Sequence, residues 1–212
     1  MLTCIRSYCV INRAKLAQVG VFFDRDGTIN TEVDYLSHPE DLLLMPNAAK
    51  AIREANRLGV KVFVITNQSG IARGMLSEYD LMLIHRRLEQ LLAARNAYID
   101  GIFYCPHHPE FGEPQYRKVC TCRKPKTGML EQAARKYNVD LRASFVVGDR
   151  CVDMMAGARA GCGTVLVLTG YGATEREECL ATTRVDHIAP DIYNAWQHIR
   201  LRLDKNKLRT SR

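Results

Sequence analysis

The chain has 212 residues, 30 Lys+Arg against 23 Asp+Glu and 47% hydrophobic residues, an ordinary composition for one well-buried core. A quarter of the residues are charged, which argues against wholesale disorder, and no apolar run approaches the roughly 20 residues that cross a bilayer. The net charge of +7 is confined to the ends, so residues 19–197 sum to −1 and a nucleic-acid partner is disfavoured.

Residues 1–18 form a basic N-terminal extension with Arg6, Arg13 and Lys15 and no acid. Their mixture of Cys, Arg, Ser and Asn argues against a secretory signal, so a cytoplasmic location is expected. Val19–Asp24 is a short apolar run that ends in a carboxylate. Pro46 opens a helical pattern with Ala49, Ile52, Ala55 and Leu58 on one face, and Gly59 stops it. Val60–Ile65 is β-branched throughout much of its length, as expected of a strand buried on both faces. Ser77 with Asp80 three residues on predicts a capping box for a helix reaching about Asn96. Gly101–Tyr104 reads as a strand, Gly128–Asn138 as a helix and Phe145–Asp149 as a strand. Asp153–Ala160 follows as a helix, Thr164–Thr169 as a strand and Asp186–Ala189 as a last short strand. A terminal helix contains Ile192, Trp196 and Ile199. Residues 198–212, with six Lys/Arg against Asp204, read as a solvated basic tail.

Strands alternating with helices imply parallel pairing with right-handed crossovers. The expected fold is α/β: a single Rossmann-like open sheet, mainly parallel, with helices on both faces. Ligands bind such sheets beyond the carboxyl ends of the strands. Asp24, Thr66 and Asp149 each fall at or just beyond such an end.

Four short segments there carry the chemistry. In Asp24-Arg25-Asp26-Gly27-Thr28 the two carboxylates leave an extended segment on the same side, where they need a cation or a shared proton. A hard cation such as Mg²⁺ supplies the first and also binds phosphate oxygens. Thr66-Asn67-Gln68-Ser69-Gly70 offers hydroxyls, amides and backbone N–H groups to an anion. Arg123-Lys124-Pro125-Lys126 is cationic, and Gly148-Asp149-Arg150 is followed by Asp153. Each has a bland alternative, respectively an Asp-Gly turn, a polar loop, a solvated charge run and a helix cap. Their order at successive strand ends favours the functional reading.

The eight cysteines read as metal ligands or as small buried or surface thiols rather than as disulfides. Cys4, Cys9, Cys151, Cys162 and Cys179 show no ligand spacing. Cys105-Pro106-His107-His108-Pro109 followed by Cys120-Thr121-Cys122 does. Three thiols and an imidazole suit a closed, structural, tetrahedral Zn²⁺ site, with His107 and His108 as rival nitrogen ligands. Lys124 lies two residues beyond Cys122, so the metal loop would fix its approach.

On these motifs the chain resembles the haloacid dehalogenase superfamily of phosphohydrolases over about residues 19–190. Cys-Pro-His-His-Pro, the 66–74 stretch and Cys-Arg-Lys-Pro at 122–125 resemble its subgroup of zinc-loop phosphatases. The resemblance implies a phosphatase domain at 19–197 with a zinc loop at 105–122. It makes Asp24 the nucleophile and Asp26 the general acid/base, with Thr66 and Lys124 stabilising the transferring phosphoryl group. Mg²⁺ would bind the Asp24 and Asp149 carboxylates and the Asp26 backbone carbonyl, and Zn²⁺ would bind Cys105, His107, Cys120 and Cys122. The implied substrate is a small phosphorylated sugar contacted by Arg25, Tyr35, Asn67, Gln68, Ser69, Arg123 and Arg150. A monomer with neither membrane nor nucleic-acid partners is expected. Two departures stand out: Arg150 replaces a common Lys, and Glu32-Val33-Asp34-Tyr35 matches the substrate loop only loosely. Histidinol phosphate is the alternative substrate; a polynucleotide 3′-phosphatase and a non-catalytic phosphate-binding module are lesser alternatives. Only 58 residues run from Thr66 to Lys124 and about forty from Asp26 to Thr66, so no large cap domain fits.

Overall fold

A computed structural model describes residues 18–210, with side chains described as far as residue 205. Six strands form one parallel sheet: β1 (Gly20–Phe23), β2 (Lys61–Asn67), β3 (Gly101–Cys105), β4 (Phe145–Gly148), β5 (Gly163–Val167) and β6 (His187–Ala189). Their order is β3-β2-β1-β4-β5-β6, which places β1 and β4 side by side at the centre. Between these two strands the order reverses direction, and side chains at their carboxyl ends face a common crevice.

Among the described residues the α-helices are α1 (Ala48–Arg57), α2 (Glu78–Ala93), α3 (Gly128–Tyr137), α4 (Cys151–Ala160), α5 (Gly172–Thr182) and α6 (Ile192–Thr210). Side chains alternate across β1: Val21 and Phe23 join a core with Ile52, Leu88 and Trp196, whereas Phe22 joins Met129, Leu130 and Ala156. Helices α1, α2 and α6 therefore cover one face, and α3 and α4 the other. Phe22 stacks on Phe63 with ring centroids 4.9 Å apart, tying the central strand to its neighbour. The five interior residues of β2 are all buried, as its β-branched composition predicts. The Ser77–Asp80 capping box forms: the Ser77 hydroxyl accepts from the Asp80 N–H at 3.1 Å, and the Asp80 carboxylate accepts from the Ser77 N–H at 2.8 Å. Among the described residues no helix is long and apolar enough to cross a membrane.

The structure departs from the sequence reading at several points. Leu58 lies just past α1 and is exposed, so the buried face of that helix ends at Ala55. Helix α2 stops at Ala93 because the chain turns at Asn96 (φ 55°) to bury Ala97. Helix α5 was not anticipated: it buries only Gly172 and Cys179, too thin a stripe to give a periodic signal. Finally, Cys151 and Cys179 are joined in a disulfide rather than standing as separate thiols. Packing of α4 on α5 brings them together, and a separation of 28 residues carries no sequence cue. The residue 197/198 boundary falls inside α6, where Ile199 is fully buried and Leu203 packs on the core. Residues 1–17 of the basic extension lie outside the described residues.

Trp196 anchors α6. It is fully buried, and its indole N–H donates to Glu54 of α1 at 3.1 Å, alongside Gln197 at 3.0 Å. Trp196→Ala should lower the unfolding free energy by about 3–5 kcal/mol, read from urea denaturation. A loss below about 0.5 kcal/mol, the usual scale of surface substitutions, would mean that α6 is not integral to the core.

Candidate active site

Strand β1 ends in Phe23, and the next residue, Asp24, is tied across to β4 by an N–H bond to the Val147 carbonyl at 2.9 Å. Asp24 Oδ1 accepts the Arg25 N–H at 2.7 Å and pairs with Lys124 Nζ at 2.9 Å. The Lys124 ammonium also reaches Asp153 Oδ1 at 2.5 Å and the Ile65 carbonyl at 2.8 Å, so its three N–H groups have three acceptors. It is only 2% exposed. Burial disfavours its charge, but the two aspartates outweigh that and raise its pKa.

The Asp24, Asp149 and Asp153 carboxylates offer oxygens within 4.8 Å of one another, all buried. One ammonium does not offset three such charges. Burial and the neighbouring Asp24 carboxylate accordingly push both Asp149 and Asp153 above the ordinary carboxylate range. An all-oxygen donor set with surplus negative charge fits a hard divalent cation. The backbone crowds this point closely. Gly27 (φ 73°) and Gly170 (φ 54°) both abut the Asp149 carboxylate, and a Cβ on either would collide with it. Asp149 Oδ2 accepts the Tyr171 N–H at 2.9 Å. Asp153 also caps α4, accepting the Arg150 N–H at 3.1 Å, so the cap and the charge pair coexist in one side chain.

Asp26 is held by four donors. Arg25 Nε and Nη2 form a fork on Oδ1 and Oδ2 at 3.0 and 2.7 Å, Asn30 Nδ2 reaches Oδ1 at 2.9 Å and Gln68 Nε2 reaches Oδ2 at 3.0 Å. Burial raises its pKa, but the Arg25 charge and these hydrogen bonds hold it below the usual value. Gln68 Nε2 also donates to Thr66 Oγ1 at 2.8 Å. Asn67 and Lys124 exchange reciprocal bonds, Nδ2 to carbonyl at 3.2 Å and N–H to Oδ1 at 3.0 Å, locking β2 to the cationic loop.

These groups border a cavity of about 420 Å³. Its wall includes Asp24, Asp26, Tyr35, Thr66, Asn67, Gln68, Ser69, Arg123, Lys124 and Arg150 from the sequence reading. Asp149 lies beneath, fully buried. Arg25 does not line it: the side chain is 1% exposed and turned toward Asp26 and His85. The substrate contact expected of Arg25 is therefore not one its side chain makes, because the buried carboxylate beside it captures the guanidinium. Sequence reasoning also missed Glu175, which accepts Arg150 Nε and Nη2 at 2.9 and 2.8 Å, and Tyr171, on which Arg150 stacks. Both belong to the unanticipated α5 and its approach. Glu32 and Asp34 complete the wall, and Asp34 accepts the Tyr171 hydroxyl at 3.0 Å. Burial and the nearby Asp26, Asp24 and Asp34 carboxylates push Glu32 up to about 7.

The cysteine loop assembles as its residue types suggest. Cys105, His107, Cys120 and Cys122 converge, with sulfurs 3.1–3.5 Å apart and His107 Nδ1 3.3 Å from Cys122 Sγ. One tetrahedral ion with bonds of about 2.0–2.3 Å reaches all four donors. His108 turns away, its Nδ1 accepting the Glu110 and Phe111 N–H groups at 3.1 and 3.2 Å. Arg123 Nη1 donates to the His107 carbonyl at 3.2 Å, coupling the cluster to the cavity wall.

Comparison with known proteins places this geometry. A HAD-hydrolase-like family model matches residues 121–195. The chain is 42% identical over 174 residues to D-glycero-beta-D-manno-heptose-1,7-bisphosphate 7-phosphatase of Vibrio cholerae, covering 82% of this chain and 94% of that protein. It is 41% identical over 170 residues to the enzyme of the same name from Photorhabdus laumondii, covering 80% and 90%. Among solved structures it resembles D,D-heptose 1,7-bisphosphate phosphatase from B. bronchiseptica, complexed with magnesium and phosphate. That match has a TM-score of 0.76 and 32% identity, covering 87% of this chain and 99% of the other. With these aspartates at the ends of adjacent parallel strands and relatives of this identity and coverage, the chain belongs to the haloacid dehalogenase-like hydrolases, in the family of the heptose bisphosphate phosphatases.

Proposed function

We propose that this chain removes the 7-phosphate of D-glycero-D-manno-heptose 1,7-bisphosphate through an aspartyl-phosphate on Asp24, in the supply of ADP-heptose for lipopolysaccharide core. The names of its relatives point to the β anomer. One observation carries the reading: Asp24, paired with a buried lysine, and Asp26 share the wall of an open cavity that also holds Arg123 and Arg150. A bisphosphorylated polyol needs two anion sites and acceptors for its hydroxyls. Arg123 and Arg150 offer the second anion site, and Glu32 and Asp34 the acceptors.

A carboxylate attacks phosphorus without first losing a proton. Asp24 Oδ1 is engaged by Lys124 and the Arg25 N–H, so Oδ2 is the oxygen offered to phosphorus. The incoming phosphate anion disfavours the Asp26 charge and drives this carboxyl toward its protonated form, and as the bond from phosphorus to the sugar oxygen breaks, Asp26 gives that oxygen its proton. In the second step Asp26 takes a proton from the water that cleaves the aspartyl-phosphate, releasing phosphate and restoring Asp24. Lys124 and the Thr66 hydroxyl stabilise charge on the transferring oxygens. Mg²⁺, held by the Asp24 and Asp149 carboxylates and the Asp26 carbonyl, would neutralise the phosphoryl group and the crowded carboxylates. Zn²⁺ on Cys105, His107, Cys120 and Cys122 would fix the loop that carries Arg123 and Lys124. A monomer in the cytoplasm belongs to the same proposal.

Phosphate release should be measured from both heptose 1,7-bisphosphate anomers and from histidinol phosphate side by side. One bisphosphate anomer is expected to dominate by at least tenfold in kcat/KM, about 1.4 kcal/mol of transition-state binding. Dominance of histidinol phosphate would move the enzyme to a different substrate while leaving the aspartate chemistry in place. Asp24→Asn should abolish turnover with its thermal melt preserved, and full activity in that variant would remove Asp24 as the nucleophile.

Because Asp149 and Asp153 hold protons above the ordinary carboxylate range, Mg²⁺ binding must displace protons. Affinity should therefore rise as pH increases from about 6 toward 8, with calorimetry in two buffers detecting proton release at the lower pH. Affinity independent of pH would show that these carboxyls are already ionised.

Metal analysis should find one zinc per chain, and its removal by a chelator should lower both the melting temperature and the phosphatase rate. Zinc-free protein of undiminished stability would eliminate the structural metal.

A further inference from the structure

The remaining question at this site is what fixes the carboxylate that must both give and take a proton. Resting on the phosphatase reading above, we propose that His85 of α2 is a positioning residue that sets the orientation of Asp26 through the buried guanidinium of Arg25. Arg25 spans the two. Its Nε and Nη2 grip Asp26, and its remaining nitrogen, Nη1, faces His85 Nε2 at 3.4 Å, the long end of a hydrogen bond. A guanidinium has no acceptor and keeps its proton, so the imidazole nitrogen must be the acceptor and the ring proton sits on Nδ1.

The surroundings enforce that arrangement. His85 is nearly buried on the face of α2 that carries Leu81, Ile84 and Leu88, with the Tyr104 ring centroid 5.9 Å away. Burial and the adjacent Arg25 charge drive its pKa down to about 3, so it stays an acceptor across the working range. Arg25, 1% exposed, has few other places to put Nη1. A planar fork is rigid: anchoring one nitrogen on His85 fixes the direction of the two that hold Asp26.

That direction matters because both Asp26 oxygens are engaged. Oδ1 accepts from Arg25 and Asn30, and Oδ2 accepts from Arg25 and Gln68. To donate a proton to the leaving oxygen, Asp26 must give up one of these bonds and rotate as little as possible. Replacing His85 with an apolar side chain leaves Nη1 without its acceptor. The guanidinium then turns to find another and carries the fork with it. The expected defect lies in proton transfer, not in substrate binding.

The test separates those effects by leaving group. A sugar phosphate expels an alkoxide that needs a proton, whereas p-nitrophenyl phosphate expels a phenolate that does not. In His85→Leu, single-turnover cleavage of the heptose bisphosphate, or of whichever alkyl phosphate proves to be the substrate, should slow about 10- to 100-fold. KM should stay within about twofold, and the first-turnover burst of p-nitrophenolate should stay within about threefold of the parent. His85→Gln, whose amide oxygen accepts from Nη1, should recover most of the alkyl phosphate rate. Arg25→Lys should show the same leaving-group split, and adding His85→Leu to it should cause no further loss, because both act on one chain of contacts.

Equal loss on both leaving groups, additive effects in the double variant, or a parental rate in His85→Leu would each overturn the proposal. If His85→Leu does not fold, judged by its thermal melt, His85→Met, which fills similar volume and offers Nη1 no nitrogen or oxygen acceptor, takes its place. A leaving-group split in His85→Met that His85→Gln does not show supports the contact, and a parental rate in His85→Met removes it. Failure of the phosphatase reading would appear separately, as turnover surviving in Asp24→Asn.

Discussion

The site depends on charge that the fold concentrates and must then neutralise. Parallel strands β1 and β4 deliver Asp24 and Asp149 to one crevice, and the first turn of α4 adds Asp153, all buried. Carboxylates this close cannot all stay ionised without cations. The Lys124 ammonium answers from one side, fully engaged by Asp24, Asp153 and the Ile65 carbonyl. A divalent cation answers the remainder in the proposed holoenzyme. The crowding that makes these charges costly beside one another suits the all-oxygen cluster to a hard cation in that holoenzyme.

Much of the molecule serves to keep Lys124 where that balance requires it. The lysine sits on a loop between β3 and α3, and a loop alone positions a side chain poorly. Two constraints compensate. The reciprocal amide bonds with Asn67 tie its backbone to the end of β2, and the Cys105–His107–Cys120–Cys122 cluster gathers the preceding loop. On the opposite rim, α5 does comparable work for Arg150. Glu175 holds its guanidinium while accepting the Cys151 N–H at 2.8 Å, and the Cys151–Cys179 disulfide joins the two helices behind it. The cavity is thus braced from both ends of the sheet, with no large cap domain among the described residues.

Asp26 shows how one backbone segment gives chemically identical groups different surroundings. Asp24 faces a lysine and the cavity, whereas Asp26, two residues on, is held by four neutral or cationic donors. The difference comes from what each side chain meets across the fold. Arg25 is the agent: burial and a carboxylate on one side and an imidazole on the other draw it away from the substrate cavity.

The sequence by itself determined the order of the strands and of every helix but α5, the strand-end positions of Asp24, Thr66 and Asp149, and the donor types in the cysteine loop. Those features are local: apolar periodicity, punctuation by Gly and Pro, and clustered donors leave their mark within a few residues. The family resemblance already favoured His107 over His108 beside the thiols; the tertiary structure alone decided that Arg25 turns inward and that α6 runs on through the basic tail. It alone revealed α5, whose polar sequence leaves almost no buried stripe, and the partnership of Glu175 with Arg150. Each of these depends on which groups meet across tens of residues. Burial and charge pairing settle them only once the chain has closed on itself.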